Sequence, residues 1–335
     1  YTRASSEAEW KASSIFNGAL LTTSLSVRGD AIGPSTYKLD TEYNPLNSDE
    51  SIYRAMPAAM FEIRYPLISN HDMASHIFEP IAQVIVRPDE TNIGEFQNED
   101  AQSMVFETNN LFERSKFSGF DRVEGGSRAN VGFRYSTSFR NNMSVDIVAG
   151  QSYHLQGKNS YAERDLVNAG IESGLETDRS DYVASIEFDT GSGLAIGLDG
   201  RFDEQDLGLR SGVVGARYID TSISLSGSYI FIDEQPRYAL SEDRHEIRGS
   251  ASLRLTDRWR LFGNASYDIQ NDNTFARGVG IAYDDSCTSL SIAYQQAESR
   301  YTGEASDQRI TFRLGLRTIG ETQFEGDLYD PEQNN

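Results

Sequence analysis

The sequence predicts an all-β chain, a transmembrane antiparallel up-and-down β-barrel of about fifteen strands, and three observations carry that prediction. Apolar and polar residues alternate with period two along most of the 335 residues. Tight turns and long links follow one another in alternation between these runs. Aromatic residues gather near the run ends, at Trp10, Tyr65, Tyr135, Tyr153, Tyr182, Tyr218, Trp259 and Tyr283, where interfacial girdles lie.

Composition alone points elsewhere. The chain holds 30 Lys plus Arg against 51 Asp plus Glu, a net charge of -21, and its mean hydropathy is -0.51. No apolar run is long enough for a membrane helix. A barrel wall has the same average, because lipid-facing and lumen-facing residues alternate. The net acidity argues against nucleic-acid binding, since phosphate neutralisation needs a basic stripe and none is found. The chain opens in mid-pattern, with Glu9, Lys11 and Ser13 alternating against Trp10, Ala12 and Ser14, which reads as a fragment.

Taken in order, the alternating runs fall near 5–16, 19–32, 54–65, 73–87, 124–138, 143–155, 180–190, 193–203, 209–218, 222–232, 244–255, 259–270, 275–284, 287–298 and 307–317. In the last, Ile310, Phe312, Leu314 and Leu316 form one face and Arg309, Thr311, Arg313 and Arg317 the other. Short turns at Asn17-Gly18, 140–142, Gly191-Ser192, 219–221, 256–258 and Asp285-Ser286 alternate with links at 33–53, 88–123, 156–179, 204–208, 233–243, 271–274 and 299–306. A soluble sandwich shares the alternation but has no reason to keep that parity, whereas periplasmic turns are short and extracellular loops grow. Residues 1–320 are read as barrel and 321–335 as a periplasmic C-terminal tail. Pro57 and Pro80 sit inside runs, where a missing N–H breaks a ladder bond, so bulges or shifted boundaries are expected there. The odd count puts the two termini on opposite membrane sides, with Tyr1 extracellular if the C-terminus is periplasmic, as in a cut through a larger even barrel.

One stretch is more specific. Asn98 to Tyr135 passes through the apolar knot Asn110-Leu111-Phe112, then Phe117-Ser118-Gly119-Phe120-Asp121-Arg122 and Val123-Glu124-Gly125-Gly126, before alternation resumes at Arg128. This run resembles the barrel domain of the lipopolysaccharide-assembly (LptD) family, as do Met56-Pro57, Glu62 to Pro66, Glu79 to Gln83 and the ending Phe312 to Gly320. The resemblance implies a Gram-negative outer-membrane protein, part of a barrel of 26 strands. It implies no enzyme and no cofactor, but the last step of lipopolysaccharide export through a lateral seam, with Asp307 to Arg317 as one side of that seam. It also implies two partners: an LptE-like lipoprotein plug in the lumen, and a periplasmic lipopolysaccharide-transport bridge reached through an N-terminal domain that this chain lacks. A general outer-membrane porin or transporter barrel is the alternative.

Arg309, Arg313 and Arg317 then face inward, toward the plug, lipid phosphates or lumenal carboxylates. Cys287, the lone cysteine, follows a tight turn. By the resemblance it pairs with the N-terminal part of the full protein; otherwise it is a free thiol. Ser152 and His154 share a face of one run with Asp146 further back, a weak likeness to barrel phospholipases, but two positions along a strand leave them ~7 Å apart. His71, His76 and His245 have no metal-ligand spacing. The acids of the long link, Asp89, Glu90, Glu95, Glu99, Asp100, Glu107, Glu113 and Asp121, suit divalent cations, solvation or packing over the barrel mouth.

Overall fold

The computed structural model describes residues 2–34, 51–101, 104–165, 167–235, 242–298, 307–316 and 320–327. Among them the chain is all-β. The strands are β1 (Arg3–Phe16), β2 (Ala19–Ile32), β3 (Ile52–Arg64), β4 (Leu67–Asn70), β5 (Ala74–Val86), β6 (Ser127–Phe139), β7 (Ser144–Gln156), β8 (Tyr182–Asp189) and β9 (Leu194–Phe202). They continue with β10 (Leu209–Ile219), β11 (Ile223–Ile232), β12 (Arg244–Arg254), β13 (Trp259–Asp268), β14 (Asn273–Asp284), β15 (Thr288–Ala297), β16 (Asp307–Leu316) and β17 (Gly320–Asp327). Each of the fifteen runs read from the sequence is a strand, with ends within three residues. Two strands were not anticipated, β4 and β17.

Those two change three expectations. β3 and β4 both run antiparallel to β5, so they are one strand interrupted at Tyr65-Pro66, and seventeen strands make sixteen passes. The odd count, and the placement of termini built on it, falls. β17 occupies the start of the stretch read as a tail and pairs with β16 through eight residues, from Arg309↔Asp327 to Leu316↔Gly320. β16 is therefore flanked by β15 and β17 and is not an edge strand. Most of the 33–53 and 299–306 links, Arg317 and 328–335 lie outside the described residues.

The prolines need no bulge. β3 pairs with β5 only from Ala59 to Arg64, so Pro57, opposite Val27 of β2, has no ladder on its other side. Pro80 falls between the β5 residues that pair with β4 and those that pair with β3, and its carbonyl accepts the Tyr65 N–H at 3.2 Å. Each lacks its N–H at a gap in the ladder.

The chain forms two compact units, one of residues 1–140, 145–186 and 199–210, the other of 141–144, 187–198 and 211–335. In the first, β1, β2, β3 with β4, β5 and β6 pair in sequence order. The β1–β2 hairpin closes on Asn17 and Gly18 at φ 47 and 84, the two positive values a type I′ turn requires. In the second, β10 to β17 pair in order, with one register shift at Ser266/Tyr267. Connections largely keep their parity: 17–18, 71–73, 140–143, 190–193, 220–222, 255–258 and 285–287 are short, and those between them are longer except 269–272, which at four residues is no longer than three of the short ones.

Alternation gives the wall two faces. In the first unit Leu25, Val27, Phe61, Ile63, Val84, Val86 and Val131 are exposed on one side, while Ser24, Asp30, Arg54, Glu62, Gln83, Arg128 and Asn130 are buried on the other. A single sheet has no second sheet to cover its inner face. The links 87–126 and 157–181 cover it, and the apolar core of Met104, Phe106, Leu111, Phe117, Tyr161, Ala169, Leu175 and Val183 lies between them and the wall.

Candidate functional site

The motif stretch becomes a strap across the inner face of the first unit. Asn110 shapes the knot by accepting the Glu107 N–H at 3.1 Å and donating to the Val105 carbonyl at 2.7 Å. Leu111 is fully buried in the core, and the Phe112 carbonyl accepts from Gln83 of β5 at 2.9 Å. The knot sits on a floor of glycine. A Cβ added to Gly150 of β7 would stand 2.5 Å from Leu111 Cδ2, and one on Gly132 of β6 3.1 Å from Phe112 Cζ.

Beyond the knot the strap carries charge inward. Glu124, with no exposure, takes Arg87 of β5's end at 2.5 Å, Arg128 of β6 at 2.8 Å and the Tyr161 hydroxyl at 2.7 Å. The Lys116 backbone N–H donates to the same carboxylate at 3.1 Å. Burial pushes the Glu124 carboxyl up, but Arg87, the Lys116 ammonium and Arg128 outweigh it and hold it at about 2. Three cations share this one buried carboxylate. Burial accordingly drives the Lys116 ammonium down to about 7, with Glu124 opposing and Arg128 and Arg87 adding to the fall. The network runs on into the wall: Asn130 donates to Gln83 at 2.6 Å, Ser152 donates to Asn130 at 2.6 Å, and Gln83 donates to Glu62 at 3.0 Å.

Two further nodes fix the turn 117–122. Arg122 holds Glu90 through two bonds of 2.9 and 3.1 Å, Asp165 at 2.8 Å and the Ser160 carbonyl at 2.7 Å. Its guanidinium lies 4.5 Å from the Phe117 ring, Phe117 is 4.6 Å from Tyr161, and Arg128 is 5.2 Å from Tyr161. The result is a stack of cation, two rings and cation that joins both links to the wall. Asp121 accepts Arg3 of β1 and the Glu99 and Asp100 N–H groups, while Asp100 accepts the N–H groups of Phe120 and Asp121. Arg54 of β3 donates to the Asp121 and Phe120 carbonyls and to Asp30 of β2. Ser118 is exposed, its hydroxyl 3.5 Å from the Asp100 carbonyl. Gly119 has φ +71, and a Cβ there would lie 2.5 Å from the Asp100 carboxyl carbon.

Thus Asn110, Leu111, Phe112, Phe117, Ser118, Gly119, Asp121 and Arg122 form one contiguous strap. The carboxylates of Asp100, Asp121 and Glu124 are engaged by arginines and backbone N–H groups, and no group of three or more metal-ligating side chains is placed to hold an ion among the described residues. Ser152, His154 and Asp146 belong to separate networks, bound to Asn130, the Gly157 carbonyl and Ser136. Cys287 is exposed and unbridged, in a turn where Asp285 accepts its N–H at 2.8 Å. Arg309 lies 3.5 Å from Asp307, and Arg313 opposes Ser291 in the β15–β16 ladder.

Sequence reasoning placed the link after β7 at 156–179 but missed its role, along with Arg87, Tyr161 and Asp165. The signal was present. Tyr161, Val167, Ala169, Ile171 and Leu175 are apolar residues in a link too long to be a bare turn, as are Phe96, Met104 and Phe106 in the other.

The family profile described as LPS transport system D (LptD) matches residues 1–259. The LPS-assembly protein LptD of Salmonella paratyphi A is 22% identical over 308 residues, covering 83% of this chain and 38% of that protein. The LPS-assembly protein LptD of Escherichia coli K12 is 23% identical over 310 residues, with the same coverage. The chain thus spans about two fifths of the length of these relatives. The siderophore receptor PirA from Acinetobacter baumannii superposes with a TM-score of 0.52 at 8% identity, covering 97% of this chain and 58% of that one, a likeness of fold.

Proposed function

The chain belongs to the LptD family and to the Gram-negative outer membrane, and from that premise we propose that it is the later wall of a translocon that inserts lipopolysaccharide into the outer leaflet. The observation that carries the reading is the strap: the stretch with the family resemblance is the one that builds the loop core over the wall. No covalent chemistry is required. The acyl chains pass sideways through a seam in the sheet, which must open because closed strand pairing is costly to break in lipid. With β17 paired outside β16, β17 takes the seam position, and the barrel segment extends at least to Asp327.

The lipoprotein plug seats against inner wall that the chain's own links leave open, and a periplasmic bridge delivers the glycolipid to the short-turn end. Arg309 and Arg313 lie on the same side of β16 for either partner. Cys287, at the short-turn end, pairs with a cysteine outside this chain. Non-reducing gels of the full-length protein test that pairing: a mobility shift lost in Cys287→Ser is the expected result, and an unshifted band with an alkylatable thiol refutes it.

Depletion of the full-length protein tests the function. Surface lipopolysaccharide should fall while new glycolipid accumulates behind the outer membrane. A porin or transporter barrel would instead alter small-solute permeability and leave surface lipopolysaccharide unchanged, and that result would overturn the reading.

A further inference from the structure

In the second unit the registers define a row across the sheet: Arg254↔Arg260, Arg260↔Ala282, Ala282↔Ser291 and Ser291↔Arg313. The neighbouring row is Leu253, Leu261, Ile281, Ile292 and Phe312, so the arginine row lies on the face opposite the apolar one. That is the lumen side of a barrel wall. The row sits beside the short turns 255–258 and 285–287, and Arg258 stands in the first of them. Together these residues line a cleft of about 470 Å³.

Its charge pattern is unlike the rest of the chain. Arg254 and Arg260 face each other directly across an antiparallel pair, an arrangement that costs stability through like-charge repulsion. Carboxylates outnumber cations 51 to 30 overall. Even so, no close ion pair to Arg254, Arg258 or Arg260 is found among the described residues, although Asp257 and Asp284 line the same cleft and Arg258 acts at longer range on Asp285. Ala282 and Ser291 carry small side chains and leave room between Arg260 and Arg313, which stand three strands or roughly 14 Å apart at the backbone. The Arg260 guanidinium lies 5.9 Å from the Phe262 ring, and Arg260 and Arg313 both line the cleft. Arg313 has partners of its own and forms the far wall.

We propose that the Arg254, Arg258, Arg260 and Arg313 cleft is a phosphoryl-binding site at the short-turn end of the lumen. The paired arginines supply forked donors to phosphate oxygens, and the anion relieves their mutual repulsion. The Ser291 hydroxyl adds a neutral donor from the floor. The phosphoryl group is that of an amphiphile headgroup or a free phosphate. The site stands on this local geometry and not on the transport reading, so loss of phosphoryl binding and loss of lipopolysaccharide delivery are separate results.

The test uses full-length protein in neutral detergent with Trp10→Phe, so that Trp259, which lines the cleft, reports within this chain. Inorganic phosphate is one titrant, phosphatidic acid in neutral micelles a second, and diacylglycerol in the same micelles the third. Saturable quenching by a phosphoryl titrant, silence with diacylglycerol, and at least tenfold weakening in Arg254→Gln/Arg260→Gln are expected. Tighter binding of phosphatidic acid assigns the headgroup; equal binding assigns the free anion. The double variant should melt no lower than its parent, since it removes a repulsion. No saturable response, an unchanged response in the double variant, or a double variant that melts lower without ligand would overturn the proposal.

Discussion

Glu124→Gln removes the single carboxylate shared by Arg87, Lys116 and Arg128 while keeping its shape. The wild-type group has no solvent exposure and lies within 2.5 to 2.8 Å of two guanidiniums and the Tyr161 hydroxyl. Breaking a buried pair from one side costs about 3–5 kcal/mol, because the partner charges stay buried without compensation. If that cost falls on opening of the strap, amide exchange within 113–126 should rise about a hundred- to a few-thousandfold. Hydrogen exchange of the full-length protein in detergent reads this directly, with the amides of β11 to β15 as an internal control that should not move. The pH dependence has a stated sign. Glu124 is held below its ordinary 4.5, so its contribution is present above pH 4.5 and lost as pH falls toward 2. Lys116 is held near 7 instead of 10.5, so the cost of burying its ammonium is full below pH 7 and is relieved as pH rises toward 10.5. Lys116→Met should therefore leave exchange unchanged or slow it. A rise of less than about threefold in Glu124→Gln, or a faster strap in Lys116→Met, would refute the electrostatic account.

Three further outcomes follow from the same geometry. Leu111→Ala leaves a cavity above the glycine floor and should destabilise the strap by about 2–5 kcal/mol, read as loss of protection by limited proteolysis at 100–120. Gly125→Ala sets a Cβ 2.0 Å from the Glu90 backbone nitrogen, so it should detach the Arg122–Glu90 node and expose the strap to protease, whereas Gly197→Ala, with open space around it, should not. Burial pushes the Asp181 carboxyl up to about 6, with Arg201 opposing. The fold therefore favours its protonated form, and protection of 170–181 should be highest below pH 3.8 and decline as pH rises through 6. In Asp181→Asn that decline should vanish; its persistence would place the titration elsewhere.

The wall was legible because alternation is a local signal: a strand such as β16 states its two faces in ten residues. The break at Tyr65-Pro66 was not, because the sequence displays Pro80 but not the change of partner that makes it harmless. β17 was missed for a related reason. Thr322, Phe324 and Gly326 alternate weakly among acids, and only pairing with β16 makes that run a strand. The motif stretch was found as a string, but its use was not. Arg122 meets Asp165, and Tyr161 meets Glu124, across 43 and 37 residues of chain, and no period or spacing encodes such a meeting. What the string did carry was its glycines and buried-type aromatics, which mark close approach without naming the partner.

The stack of Arg122, Phe117, Tyr161 and Arg128 ends on a residue of the wall itself. Slipping β6 by one position against β5 would turn Arg128 and Asn130 toward the lipid and bring Ala129 and Val131 inward. Glu124 would then lose a guanidinium, Gln83 its amide partner, and the rings their terminal cation. The strap's contacts with the wall therefore depend on the register that β5 and β6 adopt, since a one-residue slip removes all three together.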